Sequence, residues 1–274
     1  MYTAVDIGGT KTLIIVFDES NTPLEQVKFP TPADYDDFLA VLAESVANLS
    51  THDFKAVGVA APGKIDHKQG RIIAAGNLTW RNEPLQRDIE KLFHAPVILE
   101  NDAKAAAVAE ARYAGQSYET VVYITISTGV GVGVCENGKL VPALDNAEIG
   151  WMNVEHEGKL VPWEKIASGS AIVAKYGKRA SELDDDTAWD SISRNIAKGL
   201  IAVIAVVQPD LIVFGGGVGN HLEKFEKPLL KYLKGYENPM VTIPHIKKSS
   251  HPEEAVAYGC LELAKDFVQS RNAA

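Results

Sequence analysis

The chain has 274 residues, 46% hydrophobic and 23% charged, with a formal net charge of −9. That is ordinary globular composition, long enough for one large domain or two smaller ones. An acidic chain without a stripe of Lys and Arg argues against nucleic-acid binding, and no apolar run approaches the length of a membrane span. The two isolated cysteines, Cys135 and Cys260, form neither a metal spacing nor a disulfide framework, which fits a reducing cytoplasm. The sequence opens directly on a strand-like pattern, and no signal peptide is evident.

Residues 3–18 read as strand, glycine turn, strand. Val5 and Ile7 flank Asp6, residues 13–17 are an apolar run too short for a helix, and Gly8, Gly9, Thr10 and Lys11 lie between. Glycines with access to φ > 0, followed by a hydroxyl and a cation, suit a phosphate. An acid at the end of the first strand suits a magnesium ion, held through water. A Gly-Gly hairpin also serves as a plain tight turn, and from this stretch alone both readings stand. The return as a strand separates it from a P-loop, which leads into a helix.

Helical periodicity in Phe38, Leu39, Leu42, Val46 and Leu49 predicts a helix over residues 35–49. Residues 56–61 read as a buried strand ending in the turn Pro62-Gly63. Residues 71–78 read as a loop that carries Gly76-Asn77-Leu78. A short helix follows over 85–93 and a strand over 96–99. Glu100-Asn101-Asp102 then leads into an alanine-rich helix. Asn101 and Asp102 stand where an N-cap belongs. Asp102 is a cap, or a carboxylate kept ionised by the helix N-terminus and able to take a proton from a substrate hydroxyl, or both.

The second half repeats the opening. A strand over 121–126 meets Ser127-Thr128-Gly129-Val130-Gly131 and returns over 132–135, and Glu136-Asn137-Gly138 turns it again. Two such hairpins suggest duplicated halves facing one nucleotide. Residues 146–163 show no clear periodicity and carry Glu148, Trp151, Glu155, His156 and Glu157. Helix resumes over 163–176, bent at Ser168-Gly169. Asp184, Asp185 and Asp186 are solvated surface or a cap for the apolar helix over 189–208. The strand over 211–214 ends in Gly215-Gly216-Gly217, where a planar group can lie against bare backbone; the same glycines also make a flexible turn. A last helix starts at Pro252, with Ser250 or His251 as cap and Glu253 and Glu254 in its first turn, and runs to about Gln269.

In this order the motifs resemble those of the ROK sugar kinases, including the glucokinase-like members, over nearly the whole chain. Asp6-Ile7-Gly8-Gly9-Thr10-Lys11 is similar to the first phosphate motif, Glu100-Asn101-Asp102-Ala103 to the catalytic segment, Ser127-Thr128-Gly129-Val130-Gly131 to the second phosphate motif, and Phe214-Gly215-Gly216-Gly217 to the adenosine motif. The resemblance implies an α/β, two-lobed actin-like/hexokinase (ribonuclease H-like) ATPase fold, with nucleotide and sugar in the interlobe cleft. It places a small lobe over residues 1–112, joined by the C-terminal helix at about 253–274, and a large lobe over 113–252. It implies ATP- and magnesium-dependent phosphorylation of a hexose hydroxyl, glucose to glucose 6-phosphate foremost. Fructose, mannose, allose, N-acetylglucosamine or N-acetylmannosamine are the alternative acceptors, and a non-catalytic sugar-binding ROK protein is a further alternative. ROK repressors place a DNA-binding domain ahead of the sugar domain, whereas this chain starts at the first phosphate hairpin. Family members are often homodimers.

By the same resemblance Asp102 is the base, and Asp6 holds magnesium. Gly8, Gly9, Thr10, Lys11, Ser127, Thr128 and Gly129 face phosphates, and Gly215, Gly216 and Gly217 face the nucleoside. Gly63, Asn77, Asn101, Asp102, Glu148, Trp151 and Glu164 line the sugar site, the carboxylates accepting bonds from hydroxyls. Read without the family, Glu148 and Glu164 are surface carboxylates. The family also has a histidine after its Glu-Ile-Gly and three cysteines that complete a structural zinc site. Here position 151 is Trp and no cysteine lies between Cys135 and Cys260, so no zinc site is expected. Trp151 then stacks on a sugar face, or replaces the zinc as a small core.

Overall fold

The computed structural model describes residues 1–76, 78–251 and 254–272. The chain divides into two compact units, Met1–Ala109 with Glu254–Ala274, and Glu110–Glu253.

In chain order the first unit contains β1 (Tyr2–Ile7), β2 (Lys11–Phe17), β3 (Pro23–Pro30), α1 (Tyr35–Ala47) and β4 (Ala56–Ala61). β5 (Lys64–Asp66), β6 (Arg71–Ala74), β7 (Arg81–Glu83), α2 (Leu85–Phe93) and β8 (Val97–Asn101) follow, and then α3 (Asp102–Ala114), whose residues from Glu110 onward belong to the second unit. The main sheet has the order β3-β2-β1-β4-β8. β1, β2 and β3 pair antiparallel, and β4 and β8 run parallel to β1. Every residue of β4 is buried, as a parallel strand covered on both faces must be.

Two parts of this unit differ from the sequence expectation. β3 is an edge strand whose side chains are mostly exposed, so no apolar run announces it. The segment expected as a loop over 71–78 contains β6, which pairs with β5 and β7 in a separate three-stranded sheet. These strands have only three or four residues each, too short for period-two alternation to stand out.

The second unit contains β9 (Thr120–Ile126), β10 (Val130–Glu136), β11 (Lys139–Leu140), β12 (Asn153–His156) and β13 (Lys159–Pro162). Then come α4 (Glu164–Ala167), α5 (Gly169–Tyr176), α6 (Asp186–Val207), β14 (Leu211–Gly215), α7 (Gly216–Gly219), α8 (Leu222–Lys234) and β15 (His245–Lys248). Its sheet, β11-β10-β9-β14-β15, matches the first sheet position by position. An antiparallel hairpin lies beside parallel strands in both. The duplication suggested by the two glycine hairpins is thus a duplication of sheets.

The stretch over 146–163, aperiodic in sequence, folds partly as the hairpin β12–β13. Glu157 and Gly158 turn it with φ of 52° and 77°. The helix expected over 163–176 is broken rather than bent. Ser168 is extended, and its Oγ accepts the N–H of Ala171 to cap α5. Asp185 caps α6 by accepting from the N–H groups of Thr187 and Ala188 at 2.8 and 3.1 Å.

The core beside this hairpin is centred on Trp163, not on Trp151. Trp163 is fully buried, its Nε1 donates to the Asn195 carbonyl at 3.1 Å, and its ring lies where a Cβ on Gly199 would stand, 2.1 Å away. Trp151 is 56% exposed, so it does not replace a zinc site as a small core. The reason is local. Glu148-Ile149-Gly150-Trp151 forms one tight turn, and a Cβ on Gly150 would come within 1.9 Å of the Val130 carbonyl oxygen. Glycine therefore takes the inward position, and the tryptophan is carried outward.

Two segments of the second unit are tied by one buried carboxylate. Glu110, on α3, accepts the Ser249 hydroxyl at 2.5 Å and the N–H groups of Ser250 and His251 at 3.1 and 3.3 Å. Tyr113, one turn later, stacks on His251 with ring centroids 4.1 Å apart. The expected helix start at Pro252 and Glu253 lies outside the described residues.

After this segment α9 (Ala255–Asn272) packs on β1 and β4 of the first unit. Two glycines make that packing a backbone-to-backbone contact. A Cβ on Gly58 would lie 1.9 Å from the Cys260 carbonyl oxygen, and one on Gly259 would lie 1.8 Å from that of Ala105. Among the described residues no helix is long and apolar enough to cross a membrane.

Candidate active site

In the first unit, strand register assembles the carboxyl edge of the parallel strands. Asp6 pairs with Ala60, Ala60 with Glu100, and Ala61 with Asn101. Ligands of open α/β sheets bind at this edge. Asn101 does most of the capping of α3, its Oδ1 accepting from the N–H groups of Ala103 and Lys104 at 3.0 and 3.3 Å. Its Nδ2 donates to the Gly63 carbonyl at 3.1 Å. Gly63 has φ of 93°, and a Cβ there would stand 2.1 Å from the Ala74 oxygen, so the position demands glycine. Asp102 accepts the adjacent Ala103 N–H at 2.8 Å and remains half-buried.

The electrostatics of this edge are unusual. Burial, and then the nearby charge of Asp102, push Asp6 up to about 7, while Lys11 pulls it down. Asp6 keeps some exposed area, yet it is enclosed enough for desolvation to dominate. An enclosed carboxylate at a strand end is a fitting ligand, through water, for a hard divalent cation, which would hold it ionised. Burial, with Asp6, Glu100 and Asp102 nearby, also pushes the Cys260 thiol well above its usual range.

Glu100 and His67 are not singled out by the sequence pattern. Glu100 is buried, its Oε1 accepts the Asn101 N–H at 2.7 Å, and His67 Nε2 stands 3.5 Å from the same oxygen. The sequence signal for Glu100 is its place at the head of the segment Glu100-Asn101-Asp102-Ala103.

The first glycine turn is closed by the Gly8 N–H on the Lys11 carbonyl at 2.9 Å. Neither Gly8 nor Gly9 has positive φ, contrary to the conformational reason expected for them. Gly8 is needed for close approach instead: a Cβ there would lie 2.9 Å from the Lys11 oxygen. Thr10 and Lys11 are exposed. Asn77 lies outside the described residues. After it, Trp80 is buried with ring centroids 4.6 Å from Phe38 and 5.3 Å from Tyr35.

In the second unit, Ser127 and Thr128 are exposed on the second glycine turn, which is closed by the Ser127 N–H on the Gly129 carbonyl at 2.9 Å. Glu164, half-buried at the start of α4, reaches this turn, and its Oε2 accepts the Val130 N–H at 3.0 Å. Glu148 is exposed at the start of its tight turn, and Lys165 Nζ stands 6.0 Å from the centre of the Trp151 ring. The glycines after β14 divide in role. A Cβ on Gly215 would strike the Tyr123 hydroxyl, and one on Gly216, whose φ is 78°, would strike Thr125 and Ile126. Gly217 alone is exposed, with open space where a side chain would go.

Comparison with known proteins places this arrangement. A glucokinase of Streptomyces coelicolor is 29% identical over 84% of this chain and 86% of its own length. A fructokinase of Streptococcus mutans is 30% identical over 85% of this chain and 87% of its own. The crystal structure of a ROK family glucokinase from Streptomyces griseus, in complex with glucose and AMPPNP, superposes with a TM-score of 0.82. It is 28% identical and covers 97% of this chain and 99% of its own. The fold is therefore the two-lobed, actin-like fold of the hexokinases. Residues 2–267 match the sequence model of the ROK family, and the chain, with its paired glycine hairpins and its Asn101-Asp102 strand end, belongs to that family of sugar kinases.

Proposed function

We propose that the protein transfers the γ-phosphoryl group of ATP to a hydroxyl of a hexose, with glucose as the first acceptor. The observation that carries this reading is the placement of Asp102 at the start of α3, electrostatically coupled to Asp6 on the carboxyl edge of the parallel strands. Asp102 orients the acceptor hydroxyl and takes its proton as the oxygen bonds to phosphorus and the bond to ADP breaks. Asn101, pinned by Gly63 and by the helix it caps, fixes that carboxylate's backbone. Asp6 would hold magnesium, which supplies charge stabilisation to the phosphates. The turns at Gly8–Lys11 and Ser127–Gly129 offer N–H groups and hydroxyls to the phosphates, and the open face of Gly217 suits the nucleoside. Glu148 and Glu164 accept sugar hydroxyls, and the exposed Trp151 ring offers a stacking face. We also read the protein as cytoplasmic, in keeping with two buried thiols and no disulfide.

Fructose is the second acceptor to weigh, because relatives of about equal identity are named glucokinase and fructokinase. Acceptor choice rests on a few hydrogen bonds. A coupled ADP-release assay with glucose, fructose, mannose, allose, N-acetylglucosamine and N-acetylmannosamine tests the reading. Magnesium-dependent turnover with at least one of them is expected. ATP-independent sugar binding without turnover on any would overturn it in favour of a non-catalytic sugar-binding protein.

A further inference from the structure

The second glycine turn is built against the elements that carry the acceptor residues. The Gly169 N–H, at the start of α5, donates to the Ser127 carbonyl at 2.6 Å. The backbone of Gly150, two residues after Glu148, lies against the Val130 carbonyl closely enough to forbid a side chain. Glu164 completes the set. Its Oε2 accepts the Val130 N–H at 3.0 Å and stands 2.3 Å from where a Cβ on Gly129 would be. The carboxylate therefore lies flat on the bare backbone of the turn, and glycine at 129 gives it room. Phosphate approach is not the only reason for that glycine.

The other oxygen of Glu164 is turned away. Oε1 is 3.9 Å from the same Cβ position and makes no hydrogen bond among the described residues. An ionised carboxylate offers about four acceptor sites on its two oxygens. One can take a ligand hydroxyl while the other keeps the backbone N–H.

We propose that Glu164 is a positioning residue that couples the acceptor to the nucleotide: Oε1 takes an acceptor hydroxyl while Oε2 holds the Val130 N–H and so sets the second phosphate turn. This rests on the sugar-kinase reading above and adds to it a thermodynamic link. A hydroxyl on Oε1 restricts the rotamers of Glu164, and a fixed Glu164 fixes the turn that meets the phosphates. Linkage is reciprocal, so a nucleotide that orders the turn tightens acceptor binding by the same factor. A residue that only touched sugar would leave nucleotide binding in sugar-free protein unchanged.

The test is calorimetric titration of the purified full chain with AMPPNP and magnesium, without sugar and then with glucose or whichever panel sugar turns over. In the wild type the sugar is expected to tighten AMPPNP by about fivefold, the lower end of typical site coupling. Glu164→Ala should weaken AMPPNP by about tenfold without any sugar present, the loss of one charge-assisted hydrogen bond, and should abolish the coupling. Glu164→Asp, one methylene short of Val130, should behave like Glu164→Ala although it keeps the charge. Glu164→Gln can still accept the Val130 N–H and should restore sugar-free AMPPNP affinity to near the wild-type value. Thermal midpoints of the Gln and Asp variants guard against misfolding. Wild-type AMPPNP affinity in sugar-free Glu164→Ala or Glu164→Asp would overturn the coupling and leave the sugar-kinase reading standing. A wild type that binds no AMPPNP would overturn both.

Discussion

Glu110 and Ser249 stand 139 positions apart in the chain and share a buried hydrogen bond of 2.5 Å. The same carboxylate takes two partly buried backbone N–H groups, so it satisfies three donors at once. Removing it leaves those donors unsatisfied, at about 1–3 kcal/mol each before relaxation. We expect Glu110→Ala to lower stability by about 3 kcal/mol and Ser249→Ala by about 1 kcal/mol, read from urea denaturation midpoints. Equal, small effects of the two changes would mean that the carboxylate is not the centre of this tie.

Asp6 links stability to pH. Its folded-state value, about 7, lies above the unfolded value of 3.8, so the folded protein holds this proton more tightly. The stability that Asp6 contributes is complete below the unfolded value and is lost as pH rises through 7. In chelator, the wild type should therefore melt higher near about pH 5.5 than near about pH 8, and Asp6→Asn should flatten the difference. Magnesium favours the ionised form, so it should raise the melting point more at the higher pH. A magnesium effect equal at both pH values would separate Asp6 from the metal.

Asp102→Asn should lower kcat by at least about 10²-fold, the lower range for loss of a general base, with little change in ATP affinity. The amide can still receive the Ala103 N–H through its oxygen, so α3 should remain capped and the melting point nearly unchanged. Near-normal turnover in the variant would reduce Asp102 to a cap.

Trp151 and Trp163 should behave oppositely. Trp163→Ala empties a fully buried site and should cost about 3–5 kcal/mol. Trp151→Ala changes an exposed ring and should alter stability by less than about 0.5 kcal/mol while raising the acceptor KM. A destabilised Trp151→Ala with unchanged KM would make the ring a packing group after all.

Residues 148–169 contain one histidine, His156, and no cysteine. A structural zinc site takes four well-placed ligands, so metal analysis of purified protein should find no stoichiometric zinc. One zinc per chain would show a site built from other side chains.

Where the fold was legible in sequence, a local pattern carried it. The hairpin at Gly8-Gly9 and its counterpart at Ser127–Gly131 join apolar runs of strand length, and Asn101-Asp102 precedes a run of alanines. Those elements form close to where the pattern puts them. β3 and β6 left no such pattern, because one is mostly exposed and the other has four residues. The exchange of roles between Trp151 and Trp163 was hidden for a different reason. It is decided by the approach of Gly150 to Val130 and of Trp163 to Gly199, contacts between residues distant in sequence. The bond from Val130 to Glu164 is equally non-local, so nothing in the local sequence announces it.

Gly58 and Gly259 bring α9 into backbone contact with the first sheet and with α3, although the whole second unit is synthesised between them. The first unit therefore cannot finish its core while it emerges from a ribosome. Leu13, Ile15, Ala56 and Ala60 pack in one cluster with Cys260, Leu261 and Ala264, so that face of the sheet lacks its α9 cover until the last helix is made. During that interval the nascent chain presents this apolar surface without its α9 cover.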